Sequence, residues 1–100
     1  MKINFNGKAE QMSLYERVNK VNNVLDEHFK SNFSNEKIPA KDYMNLFIKN
    51  GIYEKNIRNG FPLRKDLRKL DEMNQLHRVK YLYIERKKIN TFWYFKRGNK

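Results

Sequence analysis

Apolar residues recur along this chain in two rhythms, helical up to about residue 78 and strand-like after it. Leu14, Val18, Val21, Leu25 and Phe29 keep helical spacing, and Ser13 followed by Glu16 forms a capping-box pair whose side chains satisfy exposed amides at a helix start. A first helix is predicted over residues 14 to 30. Residues 31 to 36 are polar and read as a connection. Ile38 precedes proline and is pushed toward extended backbone, so a second helix begins at Pro39 or Ala40. Tyr43, Leu46 and Phe47 give it an apolar stripe, and Gly51 followed by Ile52 fits a left-handed stop with a hydrophobic contact behind it. Residues 52 to 60 fit a loop or one or two loose helical turns.

Pro62 suits the first position of a third helix, where its missing amide hydrogen would have had no helical partner. Leu63, Leu67 and Leu70 form its seam, continued by Leu76, which places the helix over residues 62 to 75. Arg64, Arg68 and Gln75 fall on an adjacent side, flanked by Lys65 and Lys69. Beyond Arg78 the period becomes two. Tyr81 and Tyr83 alternate with Leu82 and Ile84, and Thr91, Trp93 and Phe95 alternate with Phe92 and Tyr94, which predicts a two-stranded hairpin over residues 80 to 96 turning near residues 86 to 90. Near the start, Ile3 and Phe5 alternate with polar residues before Gly7, so residues 1 to 12 read as an arm or short strand and residues 13 to 97 as a single domain. The fold class expected is α+β, mainly α with a small β-hairpin, in which three helices share a core and the hairpin covers its open edge.

Composition adds charge to this picture. The chain of 100 residues carries a formal net charge of +11. Residues 1 to 60 hold ten Lys or Arg against seven Asp or Glu, whereas residues 61 to 100 hold twelve against four. Such a local excess favours association with phosphate backbones without specifying a sequence. Cysteine is absent, which excludes a disulfide framework, a thiol nucleophile and a thiolate metal site. His28 and His77 lie on different elements, so no metal site and no cofactor is expected. No glycine-rich phosphate loop or serine-nucleophile motif is present, so the expectation is a protein that is not an enzyme. No apolar run reaches the length of a membrane span and the start lacks the apolar core of a signal peptide, which points to a soluble cytoplasmic protein without a membrane partner. Abundant Lys, Asn and Ile suit an AT-rich coding genome of a bacterium or its phage.

From Ile38 to Lys96 the order of elements, together with the run Leu67-Arg68-Lys69-Leu70-Asp71-Glu72-Met73-Asn74-Gln75-Leu76-His77-Arg78, resembles the winged helix-turn-helix family of small bacterial or phage regulators. In that family two leucines three apart precede a turn that enters the wing. Its usual glycine is replaced here by Asn74 or Gln75, and asparagine tolerates a left-handed backbone. The connection between residues 51 and 62 is longer than the family's tight turn.

The resemblance implies a non-catalytic duplex DNA-binding protein acting as a transcriptional regulator, with a basic recognition helix over residues 62 to 75 and a basic aromatic wing over residues 80 to 96. Arg64 and Arg68 would read bases, because a guanidinium can donate two hydrogen bonds to a guanine edge, while Lys65 and Lys69 would meet phosphate. Arg78 adds to this basic surface, and Arg86, Lys87 and Lys88 would lie at the wing tip against backbone or minor groove. A homodimer is preferred, since paired half-sites add base contacts. Aromatics interleaved with Lys and Arg support a different reading, a single-stranded DNA or RNA binder using the hairpin, with Tyr83 and Tyr94 as the stacking rings. Another is a small phage-type protein that binds a nucleic-acid-processing enzyme or its complex as inhibitor or adaptor, using the aromatic rim or the Tyr15 and Val24 side of the first helix. The acids Asp66, Asp71 and Glu72 are expected to pair with Arg and Lys.

Overall fold

The protein is described here by a computed structural model covering residues 12 to 98, so the expected N-terminal arm lies outside the described residues but for Met12. Helix α1 spans Leu14–Ser31, and its capping box is formed: Ser13 Oγ accepts from Glu16 N at 3.1 Å and Glu16 Oε1 from Ser13 N at 2.9 Å. The seam Val18, Val21, Leu25 and Phe29 is buried, and Asn22 is buried within it. That asparagine spans an extended stretch of chain, donating to Arg78 O at 2.8 Å and accepting from Lys80 N at 2.9 Å, on either side of buried Val79. The two bonds satisfy a polar group that would otherwise be costly at a helix interface, and they fix where the hairpin begins.

After α1 the chain enters strand β1, Ile38–Pro39, and then a helix in two pieces rather than the single one predicted. Residues Ala40–Tyr43 form a 3₁₀ turn, and α2 spans Met44–Lys49. Pro39 is extended and paired with Tyr94, so the chain must wind up directly from a sheet, and a tight 3₁₀ turn makes that transition. The stop falls where the sequence placed it. Gly51 has φ +76°, its N–H reaches Ile48 O at 2.9 Å, and Ile52 N–H reaches Phe47 O at 2.9 Å, the paired bonds of a Schellman motif. Residues 52 to 60 take the loop form of the two the sequence left open, with no helical turn. Ile52 and Tyr53 are buried, and the segment closes in three successive left-handed residues, Arg58, Asn59 and Gly60.

Helix α3 spans Phe61–Glu72, starting one residue before Pro62 and ending three before the predicted limit. The early end has a local cause. Asn74 takes φ +58°, its N–H meets Asp71 O at 3.1 Å and Gln75 N–H meets Leu70 O at 2.7 Å, a second Schellman motif built on asparagine. Leu76 therefore sits in a separate 3₁₀ turn, Leu76–Arg78. Strands β2, Leu82–Arg86, and β3, Thr91–Phe95, form the hairpin, and β1 adds a third strand that periodicity did not reveal. The sheet is antiparallel in the order β1-β3-β2, with Ile38 and Leu82 on either side of Phe95 and Pro39 and Tyr83 on either side of Tyr94. Leu82, Ile84, Trp93 and Phe95 face inward. Phe47 and Phe95 meet edge to face at 6.0 Å between centroids, and with Leu25, Met44, Ile52, Leu67 and Leu70 they form the fully buried centre shared by helices and sheet.

Candidate nucleic-acid interface

An open cleft of about 590 Å³ lies between α3 and the hairpin tip. Arg64, Arg68 and Asp71 line one wall, Lys41 and Asn59 close one end, and Ile89 to Tyr94 supply the other wall. Helical spacing explains the first wall, because residues three and four apart share a face. Lys41 reaches the cleft because of Gly60. A Cβ on that glycine would stand 2.7 Å from Lys41 Cβ and 3.0 Å from Lys41 Cα, so only glycine allows the two chains to approach this closely.

The arginines on this wall differ in their restraint. Arg64 Nη2 donates to Arg58 O at 2.7 Å, and the left-handed turn before α3 thereby orients the guanidinium. The Arg68 guanidinium makes no hydrogen bond or ion pair among the described residues. Asp71, the one carboxylate among the described residues of the cleft lining, is engaged by Arg86, whose guanidinium bridges from the end of β2. That pairing holds the Asp71 carboxyl below its ordinary value through hydrogen bonding first and charge second. Arg86 is thus a brace between hairpin and helix rather than a free cation at the tip. Lys87 and Lys88 remain exposed there and without ion pairs among the described residues.

Other residues singled out from the sequence lie elsewhere. Lys65 and Lys69 turn to the adjacent, α1-facing flank of α3, beside Arg17 and Glu72, where Arg68 also borders. Arg78 packs its guanidinium over Tyr15, 4.6 Å from the ring centroid, and donates to Gln75, so it belongs to the α1 side of the molecule. Tyr83 and Tyr94 pair across the strands on the outer face of the sheet, with centroids 6.2 Å apart. A cation already occupies that face: Lys37 Nζ stands 5.2 Å from the Tyr83 centroid and 4.8 Å from that of Tyr94, and is ion-paired with Glu85. Lys96 Nζ lies 5.6 Å from the Tyr83 centroid. The Glu85 partner raises the Lys37 ammonium and is itself held below the ordinary carboxylate value.

Two of the three acids meet the expected basic partners, though neither partner was foreseen. Asp66 is buried, accepts from Arg17 Nε at 2.7 Å and Nη2 at 3.0 Å, and takes a third bond from Tyr53 OH at 2.7 Å. Burial first, and the Asp66 charge second, lift the Tyr53 phenol well above its ordinary value, so it stays a donor. This network anchors α3 to α1 and to the chain after α2. Sequence reasoning missed Lys41, Asn59 and Lys37 as surface cations or polar groups of the site. Only Gly60, a glycine immediately before a helix, signalled that another segment comes close.

Among the described residues no group of three His, Cys, Asp or Glu could hold a metal ion, and no helix is long and apolar enough to cross a membrane. The chain matches no protein-family model, no curated protein and no solved structure.

Proposed function

We propose that the protein is a winged helix that binds duplex DNA without catalysis and regulates transcription. The element order α1-β1-α2-α3-β2-β3 and the strand order β1-β3-β2 support the winged-helix reading. One observation carries the functional part: Arg64, Arg68 and Lys41 share a single cleft with Ile89 to Tyr94 of the hairpin, and the one carboxylate among the described lining residues, Asp71, is already paired with Arg86. In this mode α3 enters the major groove with its arginine side leading, Lys65 and Lys69 meet phosphates on the flank, and Lys87 and Lys88 meet the neighbouring backbone. The single-strand reading ranks second, since the Tyr83 and Tyr94 rings are covered by Lys37 and a stacked base would have to displace it.

The test is a titration of duplex DNA, single-stranded DNA and structured RNA, side by side at two salt concentrations with random-sequence competitor. Duplex preference that survives competitor and moderate salt is the expected result. Preference for a single strand transfers the function to the outer sheet face. Binding to every polymer that vanishes with salt leaves charge alone, and the protein-partner reading then takes precedence.

A further inference from the structure

The apex of the hairpin carries an apolar side chain where charge alone would need none. Lys87 N–H donates to Asn90 O at 2.7 Å and closes the turn, which leaves Lys88 and Ile89 at its end. Ile89 is 89% exposed, the most exposed large apolar residue among those described. Turn tips favour Gly, Asn, Asp and Ser, whose backbones or side chains suit the bend, and a β-branched apolar residue has no such reason to be there. The tip is also braced. Arg86, the residue before the turn, is held on Asp71 through both its terminal nitrogens, and β3 is paired on both sides. Ile89 shares the cleft lining with Arg64 and Arg68, so whatever lies along those arginines also meets this side chain.

We propose that Ile89 is a wedge that enters a base step of the bound duplex. Resting on the duplex reading above, the geometry has α3 in the major groove and the hairpin tip over the adjacent minor groove. Lys87 and Lys88 engage phosphates, and Ile89 inserts between neighbouring base pairs, unstacks one step and bends the DNA toward the major groove. Charge complementarity commits this apolar group to a polyanion: Lys87 and Lys88 precede it in the turn, and Arg64 and Arg68 line the cleft it shares with Phe92 and Trp93 of the hairpin wall. Pyrimidine–purine steps unstack most easily, so the wedge adds a preference for such a step at a position where no hydrogen bond reads a base.

The test uses the full chain and short duplexes labelled at both ends for energy transfer, with 2-aminopurine placed at successive steps. Anisotropy on the same samples reports binding. Wild type is expected to bind, raise energy transfer by a bend of roughly 20° or more, and brighten 2-aminopurine at one step. Ile89→Ser should still bind, roughly tenfold more weakly, and lose both signals, the size expected for one apolar side chain left in water. Ile89→Leu should keep both signals. Wild-type binding with a straight, fully stacked duplex, or bending by Ile89→Ser equal to wild type, overturns the wedge and leaves the duplex reading standing. No duplex binding at all overturns both.

Discussion

Arg86 and Asp71 form a two-pronged ion pair across the mouth of the cleft, Nη1 to Oδ2 at 3.0 Å and Nη2 to Oδ1 at 2.9 Å. The residues come from the end of β2 and the end of α3, so the pair fixes the distance between hairpin and helix. Its pH dependence follows from the lowered Asp71 value. The stabilisation is complete above the ordinary value of 3.8 and is lost as pH falls through the depressed folded-state value. Asp26 and Glu85 are shifted in the same direction by Tyr81 with Lys80, and by Lys37, and add to the same acid-side loss. Melting temperature measured by circular dichroism should therefore drop on acidification below 3.8, and Asp71→Asn should show a shallower drop while starting lower at neutral pH.

The Asp66 network should dominate stability on the other side of α3. Asp66→Ala leaves the Arg17 guanidinium and the Tyr53 hydroxyl without their shared acceptor, and should cost about 3 kcal/mol, the low end for a broken buried pair because Arg17 keeps 21% of its side chain exposed. Tyr53→Phe removes one bond and should cost ~1 kcal/mol. Urea denaturation of the two variants gives both numbers, and near-equal losses would show that Asp66 acts mainly through the tyrosine.

Two glycines with similar backbone angles should respond differently to a methyl group. Gly51 has φ +76° with nothing within 4 Å of a built Cβ, so Gly51→Ala should cost only the left-handed penalty, about 1 kcal/mol. Gly60 has φ +86° and a Cβ built on it would stand 3.0 Å from Lys41 Cα, so Gly60→Ala should cost roughly 2 kcal/mol or more and should also shift the Lys41 end of the cleft. Equal destabilisation in chemical unfolding would sink the close-approach account.

Under the proposed duplex binding, substitutions should separate base reading from phosphate contact. Arg64→Ala and Arg68→Ala should each lose about 1–3 kcal/mol of discrimination between preferred and random duplexes. Lys87→Ala should weaken all duplexes alike and flatten the slope of log K against log salt by about 1. Competition titrations across a salt series check all three, and matching behaviour would remove the base-reading role from the arginines.

What could be read from the sequence was local. Ser13 with Glu16, Gly51 with Ile52, and Asn74 each act on residues within one turn, so their consequences follow from short-range backbone chemistry. The alternation through Trp93 and Phe95 likewise states which rings face inward. What escaped was settled by segments far apart in the chain. Ile38 and Pro39 are too few to display a period, and become a strand only because Phe95 and Tyr94 lie beside them. Asn22 gave no signal of its own in the apolar seam, and its burial follows from its bonds to Arg78 O and Lys80 N, distant in the chain. The cleft mixes both kinds. Arg64 and Arg68 follow from the period of α3, while Arg86 seemed a free cation because nothing in the spacing announced Asp71, and Lys37 and Lys41 sit outside the basic C-terminal stretch altogether.

The brevity of β1 bears on how copies of this molecule can associate. Strand addition needs a run of outward backbone donors and acceptors, and β1 offers a two-residue margin of which one residue is a proline without an N–H. The opposite margin is β2, five residues long. Strand addition is therefore disfavoured on the β1 side, where a second copy would find too few backbone partners to extend the sheet. A sheet this rich in aromatic residues is by that brevity guarded on its β1 side against open-ended growth.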